Sequence, residues 1–258
     1  KMSRIAFTNR DDNSYELISN LIHSTSSGQI SNPQLKTKKF VTYGLHQNSD
    51  INPQNFPFKT NLIGEFNKYN ILAAIAVCRN LGVTDKTIRE AILTFKPPAG
   101  RQDIVYKNNF MVMIDFAHTP NAFEMVMASL RRMVKGRIIH VFGSAGERDR
   151  TKRPIMGKVS SKYAEIIILT SEDPRSESVE KIMQDIESGI TNHELGIDLF
   201  KIPDRKEAIE SAIEMAARRD MVLITGKSHE KSMNYGKGEI LWDEYGAVRR
   251  ALKLRKIK

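Results

Sequence analysis

The spacing of apolar positions changes near residue 98. Upstream of it, Glu65–Leu81 carries Phe66, Tyr69, Ile71, Leu72, Ile75, Ala76 and Leu81 at helical intervals, which predicts a helix. A second helix is predicted to follow, with Thr84 as its N-cap and Ile88, Ala91, Ile92 and Phe95 facing inward. The first sixty residues are more weakly patterned. Ile5-Ala6-Phe7 and Lys39-Phe40-Val41-Thr42-Tyr43 read as short strands around a helix at Ser14–His23, and the proline- and amide-rich stretch Asn48–Pro57 reads as a loop. Lys96-Pro97-Pro98-Ala99-Gly100 then forms a stiff break, because neither proline can continue a helix.

From Arg101 onward apolar runs alternate with amphipathic ones. Strands are predicted at Met111–Ile114, Arg137–Phe142, Glu165–Leu169, Leu199–Ile202 and Met221–Ile224, and helices at 121–134, 152–163, 178–190, 204–218 and 243–256. Alternation of this kind builds βαβ units, so the expected class is α/β with a doubly wound, mostly parallel, Rossmann-like sheet. The unbroken run Ile166-Ile167-Ile168-Leu169 suits a strand covered on both faces. The expected domains are residues 1–98 and 99–258.

Composition narrows the picture a little. Of 258 residues, 40% are hydrophobic and 27% charged, the balance of a folded globular chain. No apolar run approaches the ~18 residues of a membrane span, and no signal-peptide pattern follows Lys1-Met2-Ser3-Arg4, so no membrane insertion is expected. Cys78 is alone, which excludes an intramolecular disulfide and points to a cytoplasmic location. The net charge of +10 suits either nucleic acid or small anionic substrates. That charge is spread along the chain, and the dense tail Arg249–Lys258 lacks interleaved aromatics, so no nucleic-acid role is expected. The histidines show no metal-ligand spacing, so no protein-built metal site is expected.

Ligands of a doubly wound sheet bind beyond the carboxyl ends of its strands, and four polar motifs fall there. Asp115-Phe116-Ala117-His118-Thr119-Pro120 offers a carboxylate for ribose hydroxyls and a histidine for phosphate, although Thr119 before Pro120 is also an ordinary helix start. Gly143–Pro154 combines two glycines with Arg148, Arg150, Lys152 and Arg153, which fits either a carboxylate or phosphate site or a solvated basic turn. Ser171-Glu172-Asp173-Pro174-Arg175-Ser176-Glu177 sets acids beside an arginine, a mixture that suits a zwitterion, or else an internal ion pair and a capping serine. Gly226-Lys227-Ser228-His229-Glu230 contains Gly-Lys-Ser but not a P-loop, because Met221 stands where the upstream glycine would be. His229 and Glu230 are candidates to face the same cleft as Arg175.

Taken in order, these loops resemble the Mur ligases, specifically the UDP-N-acetylmuramoyl-tripeptide synthetase type. The resemblance runs through Gly64-Glu65-Phe66-Asn67-Lys68-Tyr69-Asn70-Ile71-Leu72-Ala73-Ala74, Gly100-Arg101, Asp115–Pro120, Gly143–Pro154, Glu172–Glu177 and Gly226–Glu230. It covers about residues 60–245, and more loosely the whole chain. It implies an ATP-dependent ligase that adds meso-diaminopimelate or L-lysine to UDP-N-acetylmuramoyl-L-Ala-D-Glu in peptidoglycan synthesis. In that chemistry ATP phosphorylates the peptide carboxylate, and the incoming amine then attacks the acyl phosphate. ATP and Mg2+ are the implied cofactors, with magnesium arriving on the nucleotide. The resemblance also assigns roles. Asn70 would contact adenine, Arg101 and Asp115 the base and ribose region, and His118 the phosphates. Arg153, Glu172, Asp173, Pro174, Arg175, Gly226 and Glu230 would form the amino-acid site. No catalytic residue is certain. The alternatives are a non-catalytic amino-acid- and nucleotide-binding module, and a related folylpolyglutamate or cyanophycin type of ligase.

The chain departs from the family pattern in three places. The loop that commonly reads Asp-Asn-Pro-Arg in diaminopimelate-adding members is Glu172-Asp173-Pro174-Arg175 here. Arg175 suits the second carboxylate of diaminopimelate while Asp173 also suits the side-chain ammonium of lysine, and the reading leans to diaminopimelate. Gly-Lys-Gly-His-Glu has become Gly-Lys-Ser-His-Glu, so Ser228 is strained if that position needs positive φ. The sequence also opens inside what resembles the family's central P-loop domain, beyond the P-loop, its magnesium-binding acid and the carbamylated lysine. The first domain is therefore expected to be an incomplete remnant, completed by domains in cis or by a complementing chain. The purified chain is accordingly expected to show no appreciable ATP hydrolysis in a phosphate-release assay. Robust turnover that Asp115→Ala abolishes would overturn this.

Overall fold

The computed structural model describes residues 5–23 and 39–257. The chain divides into two compact units, Lys1–Lys96 and Pro97–Lys258.

In the first unit, β1 (Ile5–Asn9) pairs in parallel with β2 (Lys39–Tyr43), and α1 (Tyr15–His23) follows β1. The next elements are α2 (Phe66–Asn80) and α3 (Asp85–Thr94). Thr84 caps α3 by accepting a hydrogen bond from the Thr87 N–H, as its place in the sequence predicts. The buried residues Ile71, Leu72, Ile75 and Ala76 of α2 cluster with Val41, Ile51, Phe56 and Ile88. Phe56 is wholly buried, with the guanidinium carbons of Arg79 and Arg89 at 4.6 and 4.4 Å from its ring centroid.

The second unit is built on one six-stranded sheet. Its strands are β3 (Asp103–Lys107), β4 (Met111–Asp115), β5 (Ile138–Phe142), β6 (Ile166–Leu169), β7 (Leu199–Lys201) and β8 (Met221–Thr225). They lie in the order β3-β4-β8-β5-β6-β7, with β3 antiparallel to β4 and the other five mutually parallel. The interleaved helices are α4 (Pro120–Met133), α5 (Lys152–Tyr163), α6 (Val179–Glu187), α7 (Arg205–Met215) and α8 (Glu244–Ile257). A short hairpin, β9 (Ser232–Asn234) and β10 (Glu239–Leu241), precedes α8. The alternation therefore predicted the five parallel strands and all five helices to within a few residues. It did not predict β3 or the hairpin, which lie outside the βαβ repeat.

Both faces of the sheet are covered at its centre, which is why β4, β5, β6 and β8 are buried at nearly every position. Val112, Ile114, Ile139, Val141, Ile166, Ile168, Val222 and Ile224 pack with Ala208, Ile209, Ala212 and Ile213 of α7 and Val248 of α8. The alternate positions include His140 on the opposite face, fully buried between Phe123 and Phe142. Its ring nitrogens are hydrogen-bonded to the Ser160 hydroxyl at 2.9 Å and the Thr225 hydroxyl at 3.0 Å. Burial, helped by the charge of Arg205, lowers the His140 pKa to about 3, so the ring is neutral and braces the end of β8.

Arg205 is the other brace. It is fully buried at the start of α7, where Asp204 caps the helix. Its guanidinium holds both oxygens of buried Glu244, at 2.6 and 3.0 Å. It also donates to the carbonyls of Ser171 at 3.2 Å and Thr225 at 2.7 Å, just beyond β6 and at the end of β8. Trp242 Nε1 completes the cluster on Glu244 Oε2 at 2.8 Å. Removing one member strands a buried charge. Arg205→Met is therefore expected to lower the unfolding free energy by about 3–5 kcal/mol, read from urea denaturation, with Glu244→Leu in the same chain recovering most of the loss. A loss below about 1 kcal/mol would show that the pair is not structural.

Candidate functional site

Because β4, β5, β6 and β8 are parallel, the four polar motifs all emerge at the same edge of the sheet. β8 returns to lie between β4 and β5, and such a reversal of strand order opens a crevice at that edge.

The loop after β4 is self-contained. Buried Asp115 accepts the N–H of Gln102 and of Ala117, both at 2.7 Å, so its carboxylate fixes backbone on two sides. Burial raises its pKa, and those two N–H groups and the charge of Arg101 oppose the shift. Thr119 caps α4 ahead of Pro120, as its position predicts. His118 is half-buried, with Nδ1 on the Phe116 carbonyl at 2.8 Å, while its own carbonyl accepts Lys152 Nζ at 2.9 Å. The Arg101 guanidinium lies 4.5 Å from the Phe116 ring centroid, and His118 and His229 also flank that ring. Arg101, Asp115, His118 and His229 are thus gathered around Phe116. Asn70 sits on α2 of the first unit, exposed, and donates to Asn67 Oδ1 at 3.1 Å.

The loops after β5 and β6 are zipped together. The Gly146 N–H donates to the Asp173 carbonyl at 3.0 Å, and Arg175 Nη1 returns to the Gly146 carbonyl. A Cβ on Gly146 would lie 1.9 Å from the Pro174 carbonyl oxygen, so only glycine permits this approach. Glu147 accepts the Ser176 hydroxyl, and Glu177 accepts the Glu147 N–H. Glu177 also gathers Arg153 at 3.0 Å and Arg150 at 3.2 Å. Arg153 is fully buried and reaches Asp185 at 2.8 Å and the Ala145 carbonyl at 3.2 Å as well. To touch a ligand it would have to leave Glu177 and Asp185. Arg148 is different: it is exposed on the same loop and makes no hydrogen bond or ion pair among the described residues.

The loops after β6 and β8 meet through charge. Lys227, almost fully buried, places Nζ 2.9 Å from both carboxylate oxygens of Asp173 and 2.6 Å from Glu230 Oε2. Glu172 is buried behind them, and its Oε2 has no hydrogen-bond partner among the described residues. Burial raises the Glu172 pKa, while the charges of Arg205, Lys152, His118 and Lys227 oppose the shift. Gly226 has φ +102°, and a Cβ there would lie 2.1 Å from Glu172 Oε2, so glycine is required. Pro174 is buried, with its carbonyl against Gly146 of the loop after β5. Ser228 has φ +51°, the strained conformation expected of it, and its Oγ donates to the Gly100 carbonyl at 2.8 Å. Asp173 and Arg175 also have positive φ, at 43° and 52°.

Three residues that matter here were not singled out by sequence reasoning. Lys227 lay inside a motif considered only for its Walker-like triplet. Arg148 was one basic residue among four, and only the pairing of the other three distinguishes it. Arg205 carries no local signal, because its partners stand 34, 20 and 39 residues away.

The family model described as the Mur ligase glutamate ligase domain matches residues 100–228, and that of the Mur ligase middle domain matches residues 1–78. The UDP-N-acetylmuramoyl-L-alanyl-D-glutamate–2,6-diaminopimelate ligase of Aquifex aeolicus is 40% identical over 230 residues, covering 88% of this chain and 47% of that protein. The UDP-N-acetylmuramyl-tripeptide synthetase of Borreliella afzelii is 43% identical over 194 residues, covering 74% and 38% respectively. A solved diaminopimelate ligase of the same description aligns over 98% of this chain and 54% of its own length, with TM-score 0.59 and 29% identity. The chain thus spans about half the length, or less, of the curated relatives it matches. It belongs to the Mur ligase family.

The Glu177 cluster makes a prediction of its own. Arg153 first, and then the Glu147 N–H, hold the Glu177 pKa down to about 2, from an ordinary value near 4.5. A pKa lower in the folded state contributes stability that is fully present above about pH 4.5 and is lost as pH falls toward about 2. Glu177→Gln is therefore expected to lower the urea midpoint at neutral pH, with the gap to the parent narrowing below about pH 4.5. A gap that stays constant with pH would contradict this origin.

Proposed function

We propose that residues 99–258 form the amino-acid-binding domain of an ATP-dependent peptide ligase, and that residues 1–98 belong to its central nucleotide-binding domain. The enzyme would join a diamino acid, meso-diaminopimelate or L-lysine, to UDP-N-acetylmuramoyl-L-Ala-D-Glu in the cytoplasm. One observation carries the reading: the loops at a single edge of the parallel sheet present guanidinium groups, Arg148 and Arg175, together with carboxylates, Asp173 and Glu230. An amino acid is a zwitterion, and its recognition needs both signs of charge in fixed positions.

Each loop has a distinct task in this reading. Arg148 and Arg175 receive carboxylates, while the outer part of Glu230 receives an ammonium. Arg153 acts beneath them, holding Glu177 and the Ala145 carbonyl so that the loop bearing Arg148 keeps its shape. Arg101, Asp115 and His118 offer a stacked guanidinium, a buried carboxylate and an imidazole to a nucleotide. ATP would supply the activating phosphoryl group. Magnesium would arrive on the nucleotide's phosphates. The chain's own contribution is orientation, worth several kcal/mol when a bimolecular step becomes intramolecular.

Calorimetric titration of the chain with meso-diaminopimelate, L-lysine and L-glutamate tests this. A diamino acid is expected to bind, and Arg175→Ala to weaken meso-diaminopimelate about tenfold or more, the loss of one charge-assisted bond. Preferential glutamate binding would favour a ligase of the folylpolyglutamate kind. Binding of no amino acid would sink the reading.

A further inference from the structure

The edge of the six-stranded sheet at which β4, β5 and β8 begin lies opposite the polar motifs. Met221 of β8 pairs with Met111 of β4 on one side and Ile138 of β5 on the other, so these strands begin at one level. The turns that feed them are tied together through Arg219. Its N–H donates to the Asn109 carbonyl at 2.7 Å, and its carbonyl accepts the Gly136 N–H at 3.2 Å. Backbone lacing of this kind makes the edge a level, fixed platform.

The platform is basic. Lys107, Arg132, Lys135, Arg218 and Arg219 are exposed there, and their side chains make no hydrogen bond or ion pair among the described residues. Cations beside helix carboxyl ends ordinarily satisfy the last carbonyls, but here other residues do so. Arg131 donates to the carbonyls of Val134 and Gly136 behind α4, at 2.7 and 2.6 Å, and Arg255 to those of Ile213 and Ala216 at the end of α7. The carboxylates nearby are engaged as well. Asp220 is buried and accepts the Arg137 guanidinium together with the N–H groups of Arg137 and Ala217. Glu165 holds Arg131 and the Ile138 N–H. Glu214, in the last turn of α7, adds one negative charge, and Glu194 and Asp198 lie on the far flank beside β7. Positive charge therefore dominates where β4, β8 and β5 begin.

A level platform of uncompensated cations fits a surface that is itself level and negative. Duplex DNA is entered by a projecting helix or ribbon, and single strands are held by exposed aromatics. Here the turns end level, and the aromatics Tyr106 and Phe110 pack on each other, with Phe110 buried under Arg255. Met133, exposed next to Arg132, adds an apolar side chain that a headgroup layer accommodates. We propose that this edge docks the chain onto an anionic lipid bilayer as a peripheral contact. β4 and β8 each span 5 residues, about 17 Å, so the loops at the opposite edge stay clear of the headgroups. Docking here uses none of the residues assigned to amino-acid or nucleotide binding.

Co-sedimentation of the chain with vesicles of phosphatidylglycerol and phosphatidylcholine in equal parts, against phosphatidylcholine alone, tests this. Binding to the mixed vesicles alone is expected, and added salt is expected to release it, because exposed charges are screened. A lysine or arginine at an anionic leaflet contributes about fivefold in affinity, so Lys135→Gln with Arg218→Gln is expected to weaken binding about twentyfold. Lys86→Gln with Lys181→Gln removes the same charge from exposed positions outside the platform, and is expected to change binding by less than about twofold. Circular dichroism establishes that each variant is folded. Should the platform pair not fold, Lys107→Gln with Arg132→Gln takes its place. No binding to the mixed vesicles, binding that ignores salt, or equal weakening by the two pairs overturns the proposal. So does a DNA duplex of arbitrary sequence that binds more tightly than the vesicles and loses its affinity in the platform pair, which would assign the edge to nucleic acid.

Discussion

The Arg205 guanidinium is the constraint from which the site's geometry follows. It lies between α7 and α8, yet it donates to the carbonyls of Ser171 and Thr225, the last fixed points before two of the four polar loops. A buried guanidinium needs its charge balanced and its N–H groups accepted, and Glu244 and those two carbonyls do both. The result is that the loops leaving β6 and β8 start from a common anchor. His140 braces β8 from the opposite face of the sheet through the Thr225 hydroxyl. With both origins fixed, Lys227 meets Asp173 across 54 residues of sequence at hydrogen-bond distance.

Rigid origins allow unusual conformations further out. Glu147, Asp173, Arg175 and Ser228 all have positive φ without being glycine, a conformation costing about 1–3 kcal/mol each when the surroundings do not compensate. Here they do compensate. Asp173 is held by Lys227 and the Asn234 N–H, Arg175 by its N–H on the Asn234 carbonyl, and Ser228 by the Gly100 carbonyl. Strain gathered on the loops that bear the charged groups is the pattern of a preorganised binding surface, in which orientation is settled before a ligand arrives. Arg148, Arg150, Lys152 and Arg153 share one basic stretch but divide into structural and available charges. The division is made by Glu177, Asp185 and the His118 carbonyl, all outside that stretch.

How much of this was legible beforehand depends on the range of the interaction. The five parallel strands and their helices follow from apolar spacing alone, because a strand buried on both faces must be continuously apolar and a helix on a sheet must be apolar on one side. The caps at Thr84 and Thr119 follow from residue type at a helix start. The strain at Ser228 was legible too, since a glycine position filled by serine keeps the backbone requirement. Strand β3 and the β9–β10 hairpin were not, being short antiparallel pieces whose pairing partners lie outside any local period.

Sequence by itself thus determined the α/β class, the family resemblance and the edge of the sheet where the four polar motifs gather, because each depends on local pattern or on motifs kept in order. Which charged groups are spent and which remain free was decided only by the tertiary structure. Arg153 against Arg148 and Asp173 with Lys227 are settled by partners tens of residues away. Coulombic pairing acts through space and leaves no periodicity in the chain to read.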